Sequence, residues 1–158
     1  TSITIQNYDP LESLKKRLAD MESTDAEATV KRRREQQILA EILFLGKTEE
    51  SCSICHKVMP VRLLHAAHIK KRAKCTEEER TDPNIVMPLC KLGCDDLFEQ
   101  GFILINSKGR ITKNSNTVIS KDLDLHLESL VELECTSFNK NTAPYFKHRH
   151  ASNNKNSY

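Results

Sequence analysis

The chain of 158 residues is long enough for one domain with an extension, and its formal net charge of +2 excludes a uniformly basic protein. Hydrophobic residues make up only 38% of the chain, with five Phe, three Tyr and no Trp, so we expect a staple in addition to the apolar core. No stretch is long and apolar enough to span a membrane, and no apolar signal segment begins the chain. Residue 1 is Thr, which is compatible with a fragment of a longer protein.

The N-terminal part, 1–46, is predicted to be a helical arm. Asp9 followed by Pro10 is typical of a helix start, and an apolar stripe at helical spacing follows, namely Leu11, Leu14, Leu18 and Met21. A second helix is predicted over about 25–45, with Gly46 ending it. Its apolar second half could pack on the domain. We expect both helices to be structural, or to pack against another domain, rather than to contact DNA.

The main domain is predicted over 47–151, followed by a polar tail at 152–158 that we expect to be disordered. Apolar runs and turn residues predict its elements. In chain order these are a tight turn at 52–55, a strand at 60–69, a charged loop at 70–83, a short apolar run at 84–90, a helix start at 95–102 and a hairpin formed by 102–105 and 110–112. The stretch 121–134 fits a helix and a strand equally well.

Positive charge is concentrated in three clusters, "KRRRE" at 31–35, "KKRAK" at 70–74 and "KHRH" at 147–150. A single cluster of this kind is often only a solvated face. Three of them in a small protein favour a polyanionic partner.

Four cysteines have the spacing of a metal site. Cys52 and Cys55 form a C-x2-C pair, and Cys90 and Cys94 form a C-x3-C pair whose wider turn Gly93 would permit. Two such pairs, a few tens of residues apart, suit one tetrahedral zinc, which would supply the staple that the thin core needs. In a chain without a secretory signal, metal ligation in a reducing compartment is favoured over disulfides. The alternative is two unrelated clusters of buried cysteines.

Three further residues near this pattern receive weaker assignments. Cys75 could replace a member of the quartet. Cys135 is interpreted as a core residue, and His56, next to Cys55, as a surface residue.

A possible catalytic group follows from the same zinc site. Zinc would bring the strand "LLHAAHI" close to the helix "DDLFEQG", where Asp95 and Glu99 stand four residues apart on one face. Two carboxylates on one face suit Mg²⁺, which fills its shell with water and phosphate. His68 would then act as a general base for an attacking water. The alternative is a satisfied core His68, with acidic residues that only favour a helix start.

The loop after His68 supplies the expected contacts to nucleic acid. Its basic side chains would grip the phosphate backbone, and they are Lys70, Lys71, Arg72 and Lys74. Asn84 could orient the loop through bonds from its side chain to the backbone.

The stretches "CSIC", "LLHAAHIK" and "DPNIVMPLCKLGCDDLFEQGFI" resemble the HNH nuclease superfamily. The similarity is to the branch with an "AAHIK" motif and a final motif like "C-H-x-L-F-D-x-G", and it covers roughly residues 36 to 112. It implies an α+β protein: a ββα-metal core, stapled by zinc, that hydrolyses phosphodiesters with one divalent cation, Mg²⁺ or Mn²⁺. The N-terminal helices would be an extension of that core.

The resemblance also implies roles for individual residues. His68 stands at the general base and Asn84 at the middle Asn that holds the base in place. Asp95 stands where the final histidine is usual, and Glu99 at the acidic position four residues later. Ala67 replaces a frequent metal ligand before the base, so Ala67 and Asp95 leave the choice of metal open. His65 has no role in the motif and is expected on the opposite strand face, in a structural role or as a phosphate contact.

The resulting hypothesis is a metal-dependent HNH endonuclease that cleaves DNA. The alternative from another class is a zinc-stabilised module that binds nucleic acid without cutting it. The trio of His68, Asp95 and Glu99 separates the two, because a binder needs no general base beside two carboxylates. The resemblance further suggests a bacterial protein of the cytoplasm, or one associated with nucleic acid, that acts in restriction or phage defence with a fused or separate sensor domain. The N-terminal helices could pair in a homodimer.

Overall fold

A computed structural model describes residues 8–21 and 28–155. The fold is α+β, as predicted. In chain order, the elements of the described residues are α1 (Pro10–Ala19), α2 (Ala28–Leu43), β1 (Glu49–Ser51), β2 (Val58–Pro60), β3 (Leu64–His68), α3 (Glu77–Arg80), β4 (Val86–Cys90), α4 (Cys94–Glu99), β5 (Ile103–Ile105), β6 (Ile111–Lys113), α5 (Lys121–Glu128) and α6 (Ala143–Lys155).

Within this part of the chain, the strands pair as three two-stranded antiparallel sheets, β1–β2, β3–β4 and β5–β6. The β3–β4 pair runs from Leu64 opposite Cys90 to His68 opposite Val86. Most residues of both strands are buried, which is why they appear in the sequence as short apolar runs without alternation. Helix α4 begins four residues after β4 ends, so β3, β4 and α4 form two antiparallel strands followed by a helix.

Two buried apolar clusters surround the β3–β4 pair. The larger one joins the pair to α4, the β5–β6 hairpin, α5 and α6, and it includes Met87, Leu89, Phe98, Ile103 and Phe146. The smaller one joins the pair to α1 and α2, and it includes Leu14, Leu18, Ile38, Leu39, Ala66 and Val86.

The N-terminal helices therefore share a core with the strands, across the boundary expected near residue 46. The amide of Gln36 on α2 also donates to the carbonyl oxygen of Ala66 on β3, at 2.7 Å. The second half of α2 packs on the domain, as the sequence predicts.

Several boundaries differ from the prediction. Helix α2 begins at Ala28, with 25–27 outside the described residues, and it ends at Leu43 because a turn follows, in which Gly46 has a φ of +73°. The ambiguous stretch contains a helix, α5, whose start is capped by the hydroxyl of Ser120. Helix α6 continues to Lys155, into the tail predicted to be disordered, whereas 156–158 lie outside the described residues. Of the helices described, none has the length and apolar character needed to cross a membrane.

Candidate functional site: a cysteine quartet beside a charged cleft

The predicted cysteine quartet assembles in space. Cys52 and Cys55 lie in the turn between β1 and β2, Cys90 ends β4, and Cys94 begins α4. Their four sulfur atoms all lie within 4.8 Å of one another. Among residues 8–21 and 28–155, no other group of three or more His, Cys, Asp or Glu side chains converges in this way. The two cysteine pairs form one site, so the alternative of two unrelated clusters is wrong.

The backbone of each pair is shaped to present two sulfurs. In the first, the amide of Cys52 donates to the carbonyl oxygen of Lys57 and the amide of His56 to that of Cys52, both at 3.0 Å, and His56 has a φ of +65°. In the second, Gly93 has a φ of +154°, a value that residues with a side chain rarely adopt. Glycine at this position permits the wider x3 turn, as expected.

The electrostatics of the quartet call for a cation. A hydrogen bond from Cys94 holds the pKa of Cys52 well below its usual value, and the same bond raises the pKa of Cys94. Burial is the main cause that raises the pKa of Cys55. Without a metal, the thiolate of Cys52 is stabilised while Cys55 and Cys94 are held protonated. Four convergent sulfurs are the donor set that tetrahedral Zn²⁺ takes, and the metal would stabilise all four thiolates together.

The two remaining cysteines lie outside the quartet. The thiol of Cys75 donates to the carbonyl oxygen of Lys71 at 3.4 Å and packs in the smaller cluster, so it does not replace a member. Cys135 is buried in the larger cluster, as predicted. His56 is exposed, as predicted, and its Nε2 lies 2.5 Å from the carbonyl oxygen of Glu134.

A cleft of about 960 Å³ lies beside the quartet. Its walls come from α2, from β3 with the loop that follows it, and from the first turns of α4. His68, Asp95 and Glu99 all line it, so the three predicted catalytic side chains face one space.

His68 is the last residue of β3, where strand pairing holds its backbone. Its Nε2 is buried, and no residue in the described part of the chain hydrogen-bonds to it. Burial lowers the pKa of His68, and this effect exceeds the opposing pull of Glu35, whose carboxylate raises it. The imidazole is therefore favoured in its neutral form, which is the form that accepts a proton.

The carboxylates on α4 stand in different environments. Burial raises the pKa of Asp95, and the neighbouring Asp96 and Glu99 raise it further, whereas His65 lowers it. The side chain of Glu99 is 57% exposed and accepts a hydrogen bond from Arg149 at 3.1 Å. Crowded carboxylates of this kind fit a hard cation that keeps part of its water shell.

His65, which is expected on the strand face opposite His68, also lines the cleft. The 3₁₀ turn at Val61–Leu63 leads directly into β3, and this strand has only five residues at the edge of the cleft, so residues of either parity reach it. Asn84 is exposed and does not line the cleft; its side-chain amide donates to the carboxylate of Asp82 at 3.0 Å rather than to the backbone of the loop.

Two cations of the basic loop form ion pairs within the protein. Lys70 pairs with Glu79 at 2.9 Å, and Arg72 makes two bonds to the buried carboxylate of Glu35, at 2.8 and 3.3 Å. These carboxylates reduce the charge that Lys70 and Arg72 can offer to a phosphate. Lys71 and Lys74 are exposed, and Lys71 lines the cleft. The contact of all four residues with nucleic acid remains a prediction.

Further residues, which the sequence does not assign to the site, line the cleft. The cleft has a basic rim built from Arg32 and Arg33 of α2, Arg62 before β3 and Lys91 after β4. The cluster "KRRRE" was the available signal for the first two. Arg149, from the cluster "KHRH", is buried against α4 instead of facing a polyanion.

Comparison with known families finds no protein-family model that matches this chain. A comparison with curated proteins also finds no match.

Proposed function

We propose that the protein is a metal-dependent endonuclease of the HNH type that hydrolyses phosphodiester bonds of DNA. The observation that carries this proposal is the meeting of His68, Asp95 and Glu99 in one cleft, beside a four-cysteine site. The order of two antiparallel strands followed by a helix, with the base on the first strand and the carboxylates on the helix, supports a ββα-metal core.

The cysteine quartet would hold a structural Zn²⁺ in this proposal. The metal would fix the turn before β2, the end of β4 and the start of α4 relative to one another. Since His68 lies on the strand that pairs with β4, the same metal would help to set the distance between the base and the carboxylates.

Asp95 and Glu99 would bind the catalytic Mg²⁺ or Mn²⁺, with water and phosphate oxygens completing the shell. When bound, this cation supplies positive charge that offsets the charge developing on the phosphate and on the leaving oxygen. The raised pKa of Asp95 supports this role, because a nearby cation would relieve the repulsion between the carboxylates.

His68 would take one proton from the attacking water through an imidazole nitrogen. The water oxygen forms the new bond to phosphorus, and the bond from phosphorus to the leaving ester oxygen breaks. The pairing of His68 with Val86 at the end of β3 holds its backbone in a fixed position. The burial of His68 lowers its pKa and so favours the neutral imidazole.

The second candidate is a zinc-stabilised module that binds nucleic acid without cleaving it. The basic rim of the cleft favours it as much as it favours the nuclease. The neutral, unpartnered Nε2 of His68 favours the nuclease, because a binding surface gains nothing from a buried acceptor that lacks a partner.

The test is incubation of the zinc-loaded protein with supercoiled plasmid, and separately with RNA, in Mg²⁺, Mn²⁺ or no added divalent cation. Parent, His68→Ala, Asp95→Asn and the exposed control His126→Ala are compared. We expect cation-dependent nicking of the plasmid by the parent and the control, and a loss of about 10²–10⁴-fold in His68→Ala. Cleavage by His68→Ala at the parental rate would mean that His68 is not the base. No cleavage by the parent in any condition would favour the binding module.

A further inference from the structure

Helix α2 forms one wall of the cleft that holds His68. Arg32, Arg33 and Gln36 all line it, and both arginines are exposed. Within the described part of the chain, neither arginine makes an ion pair, whereas Arg72 of the same cleft is bound to Glu35. The first half of α2, which precedes the segment that resembles HNH proteins, therefore presents two uncompensated positive charges to the site.

We propose that Arg32 and Arg33 bind the phosphate backbone of duplex DNA at the wall of the cleft that α2 forms. This inference rests on the proposed function, since it assigns the substrate contact of the same site. Guanidinium groups bind phosphate oxygens in pairs of hydrogen bonds, so they suit this task better than point charges do.

The arginines are held at a fixed position relative to His68. Glu35, the residue after the cluster of three arginines, is buried and binds Arg72 through two hydrogen bonds, which ties α2 to the loop after β3. Gln36 binds the carbonyl oxygen of Ala66, two residues before His68. A phosphate bound on α2 would therefore position the neighbouring phosphodiester against the base, and this contact would not depend on a mobile arm.

The charges of the cleft are divided in a way that fits a polyanion bound through a cation. Asp95, Asp96 and Glu99 supply acidic groups from α4, which suit the catalytic cation. The rest of the lining carries positive charge from α2, Lys71, Arg62 and Lys91, which suits phosphates away from the reaction. A neutral or cationic partner would find no complementary surface on α2.

The same helix provides a matched control. Lys31 and Arg34 face away from the cleft and line a separate cavity between α1 and α2, beside Arg17. Lys31→Ala/Arg34→Ala and Arg32→Ala/Arg33→Ala each remove two positive charges from neighbouring positions of α2. Only the second pair removes charge from the wall that faces His68.

The experiment measures binding of a short labelled DNA duplex to the zinc-loaded protein by fluorescence anisotropy, without added divalent cation and over a range of salt concentrations. We expect Arg32→Ala/Arg33→Ala to weaken binding about tenfold and to reduce the slope of log K against log salt by roughly 2. The control pair should change the Kd by less than about twofold. Arg32→Lys/Arg33→Lys should keep the salt slope, and circular dichroism and zinc content should match across all variants.

The outcomes separate this inference from the proposed nuclease. If the parent cleaves plasmid while both double variants bind and cleave alike, the role of α2 is overturned and the nuclease stands. If only Arg32→Ala/Arg33→Ala loses binding and the parent cleaves nothing, the role of α2 stands and the protein is a binding module. A parent that binds no duplex, or variants that impair only the binding of a matched RNA, overturns the assignment to DNA.

Discussion

The buried guanidinium of Arg149 on α6 donates a hydrogen bond from Nη2 to Oε2 of Glu99 on α4, at 3.1 Å. The same nitrogen donates to the carbonyl oxygens of Phe98 and Glu99, at 3.1 and 3.3 Å, and the guanidinium stacks over the Phe98 ring at 4.6 Å. Only 2% of the Arg149 side chain is exposed. The C-terminal helix therefore holds both the end of α4 and the carboxylate that we assign to the cation.

Changing Arg149 to Met should weaken both the cation site and the fold. The variant keeps the apolar contact with Phe98 but loses the bonds to Glu99, and we expect a loss of about 1–3 kcal/mol in the free energy of unfolding. The Glu99 carboxylate would lose its fixed direction, so the Mn²⁺ concentration for half-maximal cleavage should rise several-fold. Arg149→Lys should recover part of the cation affinity, because an ammonium group can still donate to Glu99. Equal cation dependence in all three proteins would make Arg149 purely structural.

Removing the metal from the quartet should unfold the domain. A structural zinc contributes about 10–16 kcal/mol of binding free energy, which is comparable with or larger than the stability of most domains of about 5–15 kcal/mol. We expect one zinc per chain by elemental analysis and loss of the cooperative thermal transition after a strong chelator is added.

The cysteines outside the quartet provide the control for this prediction. Cys94→Ala should lose zinc, whereas Cys75→Ala should retain it, because Cys75 bonds to the backbone of its own loop. Cobalt substituted for zinc should give the absorption of tetrahedral thiolate ligation in Cys75→Ala and in the parent. A disulfide between Cys52 and Cys55 in the native protein would contradict the assignment.

The ion pair between Glu35 and Arg72 should stabilise the packing of α2. Glu35 is 2% exposed and Arg72 is 21% exposed, so Glu35→Gln leaves a largely buried charge without its partner. We expect a loss of about 2–3 kcal/mol in the free energy of unfolding, below the range for fully buried pairs because Arg72 reaches solvent. Glu134→Gln, which breaks an exposed pair with Arg110, should cost about 0–1 kcal/mol.

A double variant makes this measurement specific. Arg72→Met combined with Glu35→Gln should be more stable than Glu35→Gln alone, because no buried charge remains unpaired. Chemical denaturation of the four proteins of the cycle gives the coupling energy. A coupling near zero would mean that the pair contributes no more than an exposed one.

The metal-ligand spacing was sufficient to predict the quartet, and the apolar run at 60–69 predicted a strand, of which β3 (Leu64–His68) is the part that forms. Cys52, Cys55, Cys90 and Cys94 converge because thiolate ligation needs a fixed number of donors on short turns, and this requirement is visible as a spacing in the sequence. The run at 84–90 is recognisable only as a short apolar segment, and it contains β4, of which most residues are buried.

The partners of individual charges could not be predicted in the same way. In the sequence, Arg72 and Arg149 cannot be distinguished from Arg32 and Arg33, because each of the four lies within a basic cluster. Their difference lies in tertiary contacts: Glu35 is 37 residues from Arg72, and Glu99 is 50 residues from Arg149. No local sequence pattern indicates such distant pairs, so the sequence predicts that Arg72 and Arg149 are available to bind a polyanion. The sequence leaves His65 open between a structural role and a phosphate contact, and in the structure it lines the cleft through a short strand that follows a 3₁₀ turn.

The pH dependence of cleavage should report the environment of His68. Burial lowers its pKa below the ordinary value of 6.5, and Arg72 and His65 lower it as well, while Glu35 and Glu99 act in the opposite direction. Only the neutral imidazole accepts a proton, so the rate should be constant at neutral pH. It should then fall as the pH decreases through a midpoint below 6.5, where His68 becomes protonated.

Glu35→Gln should shift the pH dependence of cleavage in one direction, and a general loss of activity would not produce that shift. Removing the carboxylate that raises the pKa of His68, and leaving the charge of Arg72 uncompensated, both lower that pKa. The acidic limb of the rate profile should therefore move to lower pH, even if the maximal rate falls because the fold is weakened. The rate of plasmid nicking in saturating Mg²⁺, measured from acidic to neutral pH for the parent and Glu35→Gln, provides the comparison. A limb that stays in place or moves to higher pH would mean that the titrating group is not His68.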